Sequence, residues 1–228
     1  MNFEKIAEQL ANPFGEFGIE VALGMNTMNQ FISKTTYELL QIKDAENVLE
    51  IGLGNGKFTK DILNYGHNVN YTGIDISETM IAEAKKNNRN LLETGYVDLI
   101  DADIEKMPFW DETFNKVCTI NTIYFWKNPL GALKEVYRVL ANNGTFVISF
   151  RPYIEGQTLD FTKYGFREYK TEDLESLILK SDFKIIEKIE KNEPPITFNE
   201  QTHNLTAQYF LLQKTTIKNA YKNCSLST

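Results

Sequence analysis

The sequence predicts an α/β fold: a seven-stranded, mostly parallel sheet with helices on both faces, a C-terminal antiparallel hairpin and an N-terminal helical cap. Three observations carry this. After residue 47, short β-branched apolar runs alternate with segments of helical spacing. The first run, Val48–Ile51, breaks into glycines at alternate positions, Gly52, Gly54 and Gly56, as a strand does when it feeds a helix in a parallel sheet. The last two strand-like runs are joined without a helix, which implies antiparallel pairing.

The elements follow in order. Residues 1–46 form the cap, in which Asn2–Leu10 and Met25–Leu40 have helical apolar spacing. Asn12-Pro13, Gly15, Gly18 and Gly24 interrupt between them. Residues 47–228 form the sheet domain, and the two make one globular unit. Val48–Ile51 is the first strand and Phe58–Asn64 its helix. Asn70–Ile74 is the second strand, ending at Asp75, and Ser77–Lys86 the next helix, with Ser77 as N-cap and Glu78 in its first turn. Gly95–Ile100 and Lys116–Thr122 are the third and fourth strands. Leu130–Leu140 is an amphipathic helix that Asn142-Asn143-Gly144 ends with a left-handed cap, and Thr145–Phe150 is the fifth strand. Such alternation implies right-handed crossovers. Thr171–Lys180 is a helix capped by Thr171, Phe183–Ile189 a strand, Asn192–Asn204 with Pro194-Pro195 a loop, and Ala207–Lys214 the last strand.

Composition narrows the function classes. A chain of 228 residues, 42% hydrophobic and 24% charged, suits a single globular domain with a full core. No apolar run approaches the roughly 20 residues of a membrane helix, and the N-terminus lacks a basic-then-apolar leader pattern. Cytoplasmic location, with Cys118 and Cys224 as free thiols, is the expectation. A net charge of −7 argues against a general nucleic-acid binder. The one basic cluster, Lys85-Lys86 with Arg89, sits at a helix end, where it complements the dipole. His67 and His203 are isolated, so no metal site is expected. A monomer or homodimer fits.

The glycine loop brings backbone close to a nucleotide-like ligand, or else makes only a tight turn. A dinucleotide fingerprint would place its third glycine at Lys57, a poor residue for close helix packing. Asp75 lies 75 − 56 = 19 residues after the last loop glycine, where a carboxylate can accept from both ribose hydroxyls or cap the following helix.

With Glu50 two residues before its first glycine, Val48–Phe58 resembles motif I of the class I S-adenosylmethionine (SAM) dependent methyltransferases. The resemblance covers roughly residues 45–150. It points to the group known as methyltransferase type 11, related to the ubiquinone/menaquinone methyltransferases. It implies a Rossmann-like fold, SAM as methyl donor with S-adenosylhomocysteine as product, and a small-molecule acceptor. The positions it carries over to the cofactor are Glu50, Gly52, Gly54, Asn55, Gly56, Asp75, Ile76, Met80, Asp103, Ile104, Asn121 and Thr122. In the family an acid at Asp103 accepts from the adenine amine while Ile104 packs on the ring, Asp101 being the alternative. Met107–Val117 resembles the family's approach to strand four, with Asn115 replacing an acid and Trp110 a smaller residue.

The end of strand four should face the sulfonium, where Tyr124 or Trp126 would offer an aromatic face or else pack in the core, and Phe125 would be core. The chain lacks the Asn/Asp-Pro-Pro-aromatic segment of amine and amide methyltransferases here, and the Pro-Cys nucleophile of cytosine-C5 enzymes; Cys118 reads as a buried strand residue. Pro13-Phe14-Gly15 through Met25–Asn29 resembles the capping segment that lines an acceptor pocket, with Met25 and Met28 as pocket or core residues. Arg151 would bind an anionic acceptor or form a salt bridge. If a base is needed, Tyr124, Tyr153 and His203 are the candidates. Two other readings stand beside methylation: aminopropyl transfer from decarboxylated SAM, and a SAM-binding regulator without turnover.

Overall fold

The β-branched runs form strands where predicted. In a computed structural model, which describes residues 2–198 and 200–214, the strands are β1 (Asn47–Ile51), β2 (Asn70–Asp75), β3 (Val97–Asp101), β4 (Phe114–Ile120), β5 (Leu140–Phe150), β6 (Phe183–Asn192), β7 (Ile196–Phe198), β8 (Gln201–His203) and β9 (Thr206–Lys214). Seven of them make one sheet in the order β3-β2-β1-β4-β5-β9-β6. β1 to β5 run parallel, and β9 lies antiparallel between β5 and β6. The order reverses between β1 and β4, so a crevice opens at their carboxyl ends.

The helices are α1 (Phe3–Ala11), α2 (Gly15–Leu40), α3 (Thr59–Leu63), α4 (Glu78–Asn87), α5 (Arg89–Leu92), α6 (Pro129–Val139) and α7 (Thr171–Ile178). Side chains of β1 alternate between two apolar layers. Leu49 and Ile51 join Leu133 and Val136 of α6 and Leu174 of α7 on one face. Val48 joins Tyr37 and Leu40 of α2, Ile62 of α3 and Ala84 of α4 on the other. A third, smaller cluster roofs the crevice. It gathers Ile6 and Met28 from the N-terminal helices, Leu159 and Phe161 from the segment after β5, and Leu205 beside the β7–β8 hairpin. The roof is thus drawn from three stretches far apart in sequence, while the lower half of α2 belongs to the core of the sheet.

Four local expectations are corrected. The predicted helix Met25–Leu40 begins at Gly15, because its glycines do not break it. Gly18 instead permits close approach of α1: a Cβ there would lie 2.7 Å from Gln9 Oε1. α6 has no left-handed cap at Asn142-Asn143-Gly144. Leu140 is fully buried and already extended, so burial starts β5 at once. Asn143 takes its positive φ of 61° inside a bulge where Ala141–Gly144 face the single residue Asn115. At α7 the N-cap is Lys170 rather than Thr171, and the Asp173 carboxylate accepts from the Lys170 N–H at 2.9 Å. Within Asn192–Asn204 the β-branched Ile196-Thr197-Phe198 pairs with Gln201–His203 as a hairpin, and Phe198 meets Phe161 edge-on at 5.5 Å.

Ser77 caps α4 as expected, accepting from Met80 N at 3.1 Å. Cys118 is a buried free thiol, and Cys224 lies outside the described residues. Trp110 is 88% exposed, and Asn115 accepts from the Asn47 N–H at 2.8 Å, fixing the start of β1. Among the described residues no helix is long and apolar enough to cross a membrane, and no group of His, Cys, Asp and Glu could hold a metal ion.

Candidate active site

β1 ends by lending its next two amides to β2: Gly52 and Leu53 N–H both donate to Ile74 O, at 2.8 and 3.2 Å. The loop that follows needs left-handed backbone, with φ of +60° at Gly54 and +67° at Gly56. The two glycines differ in their surroundings. A Cβ on Gly54 would meet nothing within 4 Å, because that position opens onto the crevice. A Cβ on Gly56 would lie 2.9 Å from Ala84 Cβ, and the carbonyl of Gly56 accepts from Asn88 Nδ2 at 2.9 Å. Gly56 therefore seats the loop on α4 and does not line the crevice. Asn55 is buried, and its carbonyl is held by Asn87 Nδ2 at 3.0 Å.

Three carboxylates surround this loop. Asp75 accepts from Gly54 N–H and Ser77 N–H, both at 2.9 Å, so it ties β2, the glycine loop and the start of α4 together. Burial raises its pKa, and the two amides oppose that rise. Glu50 is also buried, and accepts from Tyr37 Oη at 2.8 Å and Tyr71 Oη at 2.6 Å. Asp103 accepts from Glu105 N–H at 2.9 Å and lines the crevice beside Ile104. The alternative acid, Asp101, is exposed and outside the lining. Ile76 and Met80 complete this wall.

The crevice encloses about 980 Å³. From the glycine loop it passes the end of β4 and continues beneath Met25 and Asn29 of α2 and beside Tyr153, Phe161 and Phe166. At the end of β4, Asn121 has a φ of +55° and donates through Nδ2 to Asn29 Oδ1 at 3.1 Å. Trp126 is buried, and its Nε1 donates to Thr122 Oγ1 at 3.1 Å. Phe125 packs edge-on against Phe166 at 4.6 Å and lines the cavity, where core packing was expected.

Several predicted site residues have other work. The Tyr124 hydroxyl accepts from Arg151 N–H at 2.7 Å and has two acceptors in reach, Asn121 Oδ1 at 3.1 Å and Arg151 O at 3.0 Å. Burial pushes this phenol well above its usual pKa, so it does not serve as a base near neutral pH. Arg151 is no free anion receptor. Its Nε and Nη2 donate to the two oxygens of Glu193 at 2.5 and 2.9 Å, Nη2 also to Met28 O at 2.7 Å, and Nη1 to Asn29 Oδ1 at 3.1 Å. The side chain of Glu193 is 1% exposed, so this ion pair is buried. His203 sits in the β7–β8 hairpin and does not line the cavity, which removes it as a base. Met28 is buried in the roof cluster, whereas Met25 lines the cavity. Tyr153 lines it as well.

Sequence reasoning missed Asn29, Glu193, Phe161 and Phe166. Asn29 stands inside the quoted capping segment, one turn from Asn26 and Ser33 on the same helical face, and that polar row was the available signal. Glu193 precedes two prolines in a segment without periodicity, and only tertiary pairing reveals it.

A family model described as a methyltransferase domain matches residues 49–148. The uncharacterized methyltransferase YdaC of Bacillus subtilis (strain 168) is 30% identical over 128 residues, covering 56% of this chain and 68% of that protein. The ubiquinone/menaquinone biosynthesis C-methyltransferase UbiE of Rickettsia prowazekii (strain Madrid E) is 33% identical over 132 residues, or 55% of this chain and 53% of that protein. Among solved structures, the complex between the Haloferax volcanii Trm112 methyltransferase activator and a methyltransferase matches with a TM-score of 0.74. That match has 15% identity and covers 86% of this chain and 93% of that one, a likeness of fold.

Proposed function

The chain belongs to the class I SAM-dependent methyltransferases, and we propose that it methylates a small molecule enclosed beneath the N-terminal helices. One observation carries this reading: a single cavity joins the glycine loop, with Asp75 and Asp103, to an aromatic chamber roofed by α1 and α2. A donor site and an acceptor site in one continuous crevice are what group transfer between two small molecules needs.

The residues present fit SAM. Gly54 leaves a side-chain-free approach to the loop, and Asp75 and Asp103 offer carboxylate oxygens suited to ribose hydroxyls and to the adenine amine. Ile76, Met80 and Ile104 would pack against the adenosine, with Asn55 holding the loop in shape. Glu50 and the region of Asn121 and Thr122 would face the amino-acid and sulfonium end, beside the aromatic rings of Tyr124 and Trp126. Bound SAM supplies an electrophilic methyl group that needs no further activation.

The chain's own contribution is then placement. Holding an acceptor in a near-attack arrangement supplies roughly 7–11 kcal/mol of the barrier. The polar groups at the end of β4 are engaged with one another, which suits a rigid wall better than a proton relay. Aminopropyl transfer would need acids here to hold a polyamine; Asn121-Thr122-Ile123-Tyr124 offers none.

Titration calorimetry tests the donor half. SAM and S-adenosylhomocysteine should bind in the micromolar range, Gly54→Arg should abolish binding, and Asp75→Ala should weaken it. Absence of binding by the native chain would refute the reading. Methyl-labelled SAM incubated with a metabolite extract tests the acceptor half: a labelled small molecule is expected, and binding without label transfer would favour a SAM-responsive regulator.

A further inference from the structure

Glu50 is buried without a cation. The groups that face it are the phenols of Tyr37 on α2 and Tyr71 on β2, the carboxylate of Asp75 at the end of β2 and the thiol of Cys118 on β4. Lys and Arg are absent from that set, and no ion pair among the described residues includes Glu50. A lone buried carboxylate is costly, and hydrogen bonds are what make it tolerable. Each oxygen has one: Oε1 accepts from Tyr37 at 2.8 Å, Oε2 from Tyr71 at 2.6 Å. Burial holds both phenols in their protonated form, so each acts as a donor to this acid.

The two donors arrive from the two elements that flank β1, one from the helix above it and one from the neighbouring strand. They grip the carboxylate from both sides and set its direction. The remaining lone pairs belong to a group that lines the cavity with Ser33 and Gly52. An acid held in this way is complementary to a cation that the chain itself does not provide.

We propose that Tyr37 and Tyr71 are positioning residues that hold the Glu50 carboxylate for the ammonium group at the amino-acid end of SAM, an inference that rests on the SAM-binding reading above. Losing either hydroxyl strips one donor from the anion, so Glu50 takes up a proton at higher pH. Recognition of the ammonium is then lost as pH falls through that raised midpoint. The adenosine half of the site, built on Asp75 and Asp103, keeps its own backbone donors.

The test compares SAM with 5′-methylthioadenosine, which keeps the adenosine and lacks the amino-acid end. Calorimetry from about pH 5.5 to 8 is run on the native chain, Tyr37→Phe, Tyr71→Phe and Glu50→Gln, with thermal melts as the folding control. A hydrogen bond to a charged group is worth enough to expect about ten- to a hundredfold weaker SAM binding in each Phe variant at the acidic end. The loss should shrink as pH rises, while methylthioadenosine affinity stays within about twofold. Glu50→Gln, which preserves the shape, should remove the pH dependence that separates the two ligands. Equal losses for both ligands at every pH would overturn the proposal in favour of a general packing role, as would an unshifted pH profile in folded Phe variants. If the native chain binds neither ligand, the SAM reading itself fails and this inference goes with it.

Discussion

Replacing Arg151 with leucine should destabilise the protein more than replacing its partner Glu193, and the difference follows from what each residue leaves behind. Arg151→Leu strands the Glu193 carboxylate, whose side chain is 1% exposed and loses donors at 2.5 and 2.9 Å. Water cannot replace two charge-assisted bonds at that depth, so the expected cost is about 3–5 kcal/mol. Glu193→Leu leaves the guanidinium with Asn29 Oδ1, Met28 O and 15% exposure beside the cavity. Its cost should be smaller, about 2–3 kcal/mol. The double variant removes both charges, and its cost should fall short of the sum of the singles by about 2–3 kcal/mol. Urea unfolding of the four proteins measures this, read as midpoint shifts at constant slope. If both singles cost under about 1 kcal/mol, or the costs simply add, the pair is not the structural clamp inferred from its burial. A stable Arg151→Leu protein with a raised KM for an anionic acceptor would restore the receptor role that the geometry denies it.

Four further outcomes are expected. Gly56→Ala forces a Cβ to within 2.9 Å of Ala84 Cβ at a φ of +67°, so it should cost about 2–5 kcal/mol and lower the melting midpoint by roughly 10 °C. Gly54→Ala meets no atom, so it should lose only about 1–2 kcal/mol in scanning calorimetry, yet weaken SAM binding by at least about tenfold. Tyr124→Phe should leave the pH–rate profile of methyl transfer unchanged, since burial keeps that phenol protonated across the working range; loss of an alkaline limb would contradict this. Glu50→Gln should stabilise the fold above acidic pH. The raised folded pKa of Glu50 means its protonation favours folding below the unfolded value near 4.5, an advantage lost as pH rises through the folded value. The melting-point gain of the Gln variant should therefore grow with pH and then level off, and a gain that shrinks with rising pH would reverse the assignment.

The parallel half of the sheet was legible because each strand there carries an apolar run, followed at β1, β2 and β3 by a glycine, an acid or a capping serine at the turn. Glu50, Asp75 and Asp103 line the crevice for the same reason, since each stands at or just beyond a strand end, where position along the chain dictates position in the crevice. Errors gathered where tertiary packing overrode local preference. Gly18 reads as a helix breaker, and becomes a contact glycine once α1 folds back onto it. Leu140 reads as the end of a helix, and enters β5 because its side chain is fully buried there. Gly56 shares the spacing of Gly54 but faces α4, a distinction only the packed neighbour reveals.

The same reasoning explains why the residues around the glycine loop carry a sequence pattern and those of the roofed chamber do not. The residues proposed for the donor follow one another within about a hundred positions on consecutive βα units, so the fold's own periodicity orders them. The roofed chamber is assembled from α1 and α2 and the segment after β5, with the β7–β8 hairpin packed against its roof cluster, and it is tied together by the Arg151–Glu193 pair that reaches Asn29 and Met28. None of those pieces has a sequence pattern that refers to the others. On the reading proposed above, an acceptor would be selected by the shape three distant segments make together, and substitutions in any one of them would alter that shape while leaving the residues around the glycine loop as they are. Divergent substrate choice with a constant donor site is the physical consequence, and it agrees with the family match ending at residue 148, before two of the roof segments begin.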